Sequence, residues 1–282
     1  MSTNTATLLL LLMAIAALGK QIPAHQHDRL HTLSSMQQHT EDLKHEGPTR
    51  NLQTVTRAAM RMTMNTSNLG TAIAPTTTAT LSFITNIMLV IKQFVKLRFQ
   101  VYSEQANIVA PTPCVDYTSP SVDVSSGIAN SDLHLYVLYQ SNSSSTSVAT
   151  GKYCQVTSGG GSLPDATLAR GRPTFGRIRF NTAPTLDGAT LTNRLFADTA
   201  SYALHEVFHI MGFDSSLYST YIDASTQTTY TSAVLQTATG MHSSRSATKW
   251  ITTPKVLAWA KDWFGCSSIG GMPVENEGSD GE

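Results

Sequence analysis

A mixed α+β domain is predicted for this 282-residue chain from three observations. Short alternating or continuous apolar runs at 95–102, 133–139 and 177–181 have the period of strands. Segments 77–94, 195–211 and 254–264 carry apolar residues at helical spacing. The resulting order is strand, helix, strands, helix, loop, helix, without an internal repeat, which fits neither a bundle nor an alternating βαβ protein.

The elements follow in chain order. Residues 8–19 are an apolar run ending in Ala17-Leu18-Gly19, too short to span a bilayer and fitting the core of a secretory signal, although residues 1–7 carry no Lys or Arg. A signal peptide over 1–19 is expected, with an uncleaved anchor as the alternative. Residues 20–50 are polar and contain His25, His27, His31, His39 and His45, as a propeptide-like leader would. A globular domain is expected over 51–282. Residues 58–69 are consistent with its first strand. Phe83, Ile84, Ile87, Met88, Ile91 and Phe94 give 77–94 a helical face whose apolar stretch is shorter than a membrane span.

At 95–102, Val95, Leu97, Phe99 and Val101 alternate with polar residues, so a half-buried strand is expected. The run 133–139 (LHLYVLY) reads as a central strand, with Ser-rich and Ser/Gly loops after it at 141–147 and 158–162. The short alternation at 177–181 (RIRFN) reads as an edge strand. Residues 195–211 form a helix that Gly212 ends. Residues 220–246 are Ser/Thr-rich with little pattern and read as surface loops. Pro254 opens the last, amphipathic helix.

Composition excludes some functions. Lys and Arg number 19 against 19 Asp and Glu, so no basic surplus points to nucleic acid, and no acidic run suggests a solvating tail. A low charged fraction with abundant Ser and Thr suits an extracellular surface. The sequons Asn65-Thr66-Ser67 and Asn142-Ser143-Ser144 agree with secretion. Three cysteines, Cys114, Cys154 and Cys266, leave one thiol without a partner inside the chain. That thiol is free, bonded to another chain, or matched by a residue beyond this sequence.

His205-Glu206-Val207-Phe208-His209 carries the chemistry, because it fits the H-E-x-x-H zinc pattern. Residues four apart on a helix stand one turn apart on one face, so both imidazoles can reach one ion. Glu206, beside the first ligand, can take a proton from metal-activated water and deliver it to the leaving amine. The predicted site is therefore Zn2+ on His205 and His209, with Glu206 as general base. Three fixed positions arise by chance in roughly one chain in a hundred of this length. An exposed helix with an i,i+4 His pair is the plainer reading. The neighbours weigh against it: Tyr202, Ala203, Leu204, Val207, Phe208, Ile210 and Met211 make the helix apolar nearly all round. A core helix is expected, and burying two His and a Glu there unpaired would be costly.

A catalytic zinc takes three protein ligands and keeps one position open. His242 is the only His after His209, but it lies among Ser and Thr, where a solvated imidazole is the commoner case. Glu275 and Glu277 are carboxylate candidates.

Residues 205–218 (HEVFHIMGFDSSLY) resemble the active-site segment of the leishmanolysin family of surface metallopeptidases. The likeness continues, in order, at 61–69 (RMTMNTSNL), 131–139 (SDLHLYVLY), 153–155 and 172–181 (RPTFGRIRFN), then at 254–266 and 274–278. It covers about residues 50–282. The resemblance implies a zincin or metzincin-like catalytic domain over 51–282, with a mixed twisted sheet and an active-site helix. It implies a zinc endopeptidase acting on protein or peptide substrates, secreted or associated with the cell surface. The strand ending at Asn181 would line the substrate cleft.

Several departures bear on that reading. In the compact metzincin motif the third His stands three residues after the Gly; here Ser215 is there, with Asp214 out of step. Glutamate at 275 or 277 as third ligand suits a class that lacks the Gly212 turn. The family places its third His after a long insertion, and this sequence stops at Glu282, where relatives continue into that ligand. The C-terminal subdomain is therefore expected to be largely missing. The resemblance implies a Cys114–Cys154 pair, leaving Cys266 to a downstream partner. In the leader, His25 stands where relatives carry a zinc-capping Cys. The alternative function is an inactive, truncated pseudo-peptidase that serves as a surface binding or adhesion protein. Intact His205, Glu206 and His209 favour the enzyme.

Overall fold

A computed structural model describes residues 57–70, 77–157, 171–223, 226, 228–230, 232–238 and 248–274. All of them belong to the compact unit Arg57–Glu282. The signal and leader, the loop at 158–162, His242, Glu275 and Glu277 lie outside the described residues.

The elements are β1 (Ala58–Ala59), β2 (Met62–Asn65), α1 (Thr78–Arg98), β3 (Gln100–Val101), α2 (Ser121–Ser125), β4 (Leu133–Gln140), β5 (Ala149–Val156), β6 (Pro173–Asn181) and α3 (Asn193–Ile210). After them come β7 (Ile222–Asp223), β8 (Thr228–Thr229), β9 (Leu235–Ala238), β10 (Thr248–Ile251), α4 (Pro254–Phe264) and β11 (Met272–Pro273). The fold is the expected mixed α+β class. Its main sheet has the order β2-β4-β6-β5, with β2 and β6 parallel to β4 and β5 antiparallel to β6.

Helix α1 starts at Thr77, whose hydroxyl accepts from the Thr80 N–H at 3.2 Å and so satisfies one orphan donor of the first turn. Its buried stripe is Ile84, Ile87, Met88, Ile91 and Val95. Each such side chain contributes roughly 1.5–3 kcal/mol by leaving water. The helix is long and apolar enough to cross a membrane by length and composition, longer than its sequence pattern indicated. The stripe is nevertheless committed to the core: Phe83 meets Phe196 of α3 edge to face at 5.4 Å.

Beneath the helices, the opposite face of the sheet closes on Ile108, Ala110, Cys114, Tyr136 and Phe175. A Cys114–Cys154 disulfide pins this layer to β5, as the family resemblance implied, and Cys266 is exposed and unpaired. Two ion pairs tie the sheet ends together. Asp132, fully buried, takes Arg61 at 2.9 Å, and Arg172 takes Glu104 at 2.6 Å.

Four expectations are corrected. The strand at 95–102 is mostly helix, because Val95 continues the stripe one turn after Ile91, while Leu97 is 64% exposed. Only β3 remains extended, paired with β1. The first strand, 58–69, breaks into β1, β2 and a 3-10 turn at Ser67–Gly70. The segment 177–181 is not an edge strand: β6 is paired on both sides, with β4 and with β5. Its polar alternation reflects ion pairing, not solvent, since Arg177 and Arg179 both reach Asp116 and Arg177 is buried. The edge is β5. Residues 220–246 are more ordered than a surface loop, with a β7–β8 pair and a three-stranded sheet β11-β10-β9.

Candidate active site

Helix α3 carries the site. Thr192 caps it by accepting from the Leu195 N–H at 3.2 Å. Its buried face is Thr199, Ala200, Ala203, Val207 and Ile210. The helix is amphipathic, not buried all round as its composition suggested: Tyr202 is 54% exposed and His205 is exposed. The His pair therefore faces an accessible surface, which a metal and substrate need and a core position would deny.

His205 and His209 converge. Their Nε2 atoms are 2.9 Å apart and the rings cross at 88°. Zinc–imidazole bonds of about 2.0–2.1 Å can be made from both nitrogens to one point at that separation. His209 Nδ1 lies 2.6 Å from the Phe213 carbonyl. A carbonyl only accepts, so Nδ1 carries the proton and Nε2 presents its lone pair. That carbonyl returns because Gly212, at φ +120°, takes a left-handed conformation that ends the helix. The Tyr221 hydroxyl donates to the Gly212 carbonyl at 2.8 Å and holds the turn.

Glu206 points at the sheet. Its Oε2 accepts from the Gly151 N–H of β5 at 2.5 Å. Gly151 has no room for a Cβ, which would strike the Glu206 backbone, and a Cβ on Gly176 would strike Ile210. These two glycines let the sheet approach the helix along the turn that bears the motif. Beside them, Arg177 donates to the Thr150 hydroxyl at 3.0 Å and pairs with Asp116 at 3.0 Å. Burial weakens the hold of Arg177 on its proton, and the nearby charges of Asp116 and Glu206 offset this in part.

The three motif residues are thus together on one accessible turn. Asp214 is turned away, accepting from the Ser216 N–H at 2.9 Å. Among the described residues no group of three or more His, Cys, Asp or Glu surrounds one point. His205 and His209 fit two positions of a zinc site, and a third donor is not among the described residues. Sequence reasoning missed Gly151, Thr150 and the Phe213 carbonyl. A glycine inside a strand was the available signal for the first.

A mixed sheet backed by a helix that presents H-E-x-x-H at its surface defines a zincin-type catalytic domain. The leishmanolysin family model matches residues 77–282, and the chain belongs to that family of extracellular and surface metallopeptidases, whose members depend on zinc. No curated protein matches the chain.

Proposed function

We propose that this chain is a zinc-dependent endopeptidase, secreted or held at the cell surface, that hydrolyses peptide bonds of proteins with Glu206 as general base. The approach of two imidazole Nε2 atoms to 2.9 Å beside Glu206 carries this reading. His205 and His209 would hold the metal through Nε2, and the Phe213 carbonyl keeps His209 in the correct tautomer. Zinc, when bound, acidifies water and polarises a carbonyl. Glu206 accepts the proton of the attacking water and passes it to the leaving amine. Strand β5 is the end strand of its sheet and lies against α3 at Gly151. An extended peptide added to it would cross in front of Glu206.

The test is cleavage of casein by the purified chain, with and without a chelator, alongside its zinc content. Chelator-sensitive cleavage that Glu206→Gln abolishes is expected of the protein carrying a third zinc donor, and little cleavage with His205 and His209 alone. A protein that carries the third donor, binds zinc and cleaves nothing sinks the endopeptidase reading and leaves a binding or adhesion protein. Alanine at His242, Glu275 and Glu277 in turn, read by zinc content, tests whether any of them supplies a third donor.

A further inference from the structure

Strand β5 and helix α3 approach backbone to backbone at Gly151. A Cβ on Gly151 would overlap the main chain of Glu206, so only glycine admits the strand this closely. There the Gly151 N–H donates to Glu206 Oε2 at 2.5 Å, a charge-assisted bond. Strand β5 pairs with β6 alone among the described residues. Successive amides of an antiparallel strand point to opposite sides. The Gly151 amide therefore belongs to the side of β5 away from β6. One residue earlier, Thr150 is anchored by Arg177 at 3.0 Å, and Arg177 is itself tied to Asp116 at 3.0 Å. The ion pair fixes the strand, and the strand's amide fixes the carboxylate.

From this we infer that Gly151 is a positioning residue: its backbone N–H clamps Glu206 Oε2 and so fixes where the carboxylate stands. While the clamp holds, a peptide laid along β5 cannot pair with the Gly151 amide, so the substrate ladder is interrupted at that residue. This role rests on the reading of Glu206 as general base; the contact itself does not.

Amide hydrogen exchange of the isotope-labelled chain tests the contact without requiring activity. The Gly151 amide should be protected in the wild type and exchange about tenfold faster or more in Glu206→Ala, the scale of losing one charge-assisted bond. Thr150 and Lys152, whose amides face β6, should be unchanged. Equal exchange at Gly151 in the two proteins overturns the clamp, whether or not the chain cleaves peptides. Protection in a chain that cleaves nothing overturns the general-base reading alone.

In the active protein, Gly151→Ala, which must push β5 off the Glu206 turn, should lower kcat by about tenfold or more, and by a larger factor than it lowers zinc content. Parallel loss of zinc and kcat would make Gly151 a packing residue only, and the positioning role would fall. Where Gly151→Ala does not fold, the exchange measurement decides.

Discussion

His205 Nε2 and His209 Nε2 stand 2.9 Å apart on successive turns of α3. His209 Nε2 presents a lone pair across that gap, which either a proton carried by His205 Nε2 or a cation bound by both rings can fill. Removing one imidazole, as in His209→Ala, should weaken zinc binding by more than about 100-fold. On the proposed reading Glu206→Gln removes the base and no ligand, so affinity should stay within a few-fold while turnover is lost. Calorimetric zinc titration of the two variants separates these outcomes; equal affinity loss in both would make Glu206 a ligand.

Gly176 is the second place where the helix rests on the sheet. A Cβ there would strike Ile210 and crowd Leu135, both fully buried. Gly176→Ala should destabilise the fold by about 1–3 kcal/mol, the range for overpacking a core. Gly270→Ala, with nothing near its Cβ position, should change stability by less than about 0.5 kcal/mol. Urea unfolding of the pair gives the comparison, and equal midpoints would rule out the close approach at Gly176.

His134 makes stability depend on pH. It is buried between Tyr136 and Phe175, its Nδ1 bonds the Thr63 hydroxyl at 2.8 Å, and its Nε2 has no hydrogen-bond partner among the described residues. Burial pushes its pKa from 6.5 down to about 4, with Asp123 partly opposing. Between those values the unfolded chain binds a proton that the folded chain does not. Stability is whole above the upper value and falls as pH drops through the window, by about 3 kcal/mol in all. His134→Asn keeps a partner for Thr63 and should flatten the slope. Thermal unfolding of both proteins between neutral and acid pH reads it, and identical slopes would remove His134 as the cause.

The cysteines give a simpler check. Cys114 and Cys154 are joined, and Cys266 is exposed with its pKa lowered by hydrogen bonds from Ser268. Iodoacetamide should label Cys266 alone in the folded, unreduced protein. Label on Cys114 or Cys154, found by peptide mass mapping, would contradict the pairing.

The motif was legible in the sequence because its chemistry is local. The i,i+4 spacing of His205 and His209 and the stop at Gly212 lie on one helix, whose geometry is set by hydrogen bonds between near neighbours. For the same reason α1, α3, α4 and the central strand β4 were recognisable from their periodicity. Sheet position was not. Short alternation looks alike whether polar side chains meet water or, as with Arg177 and Arg179, meet an Asp brought from Asp116 in a distant loop.

The sequence by itself marked His205, Glu206 and His209 as the candidate site. Only the tertiary structure decided that α3 turns its His pair outward, that β5 is the edge, and that Gly151 meets Glu206. Those outcomes depend on pairing β5 with β6 and packing both under α3. These contacts join residues far apart in the chain, and no local preference specifies them.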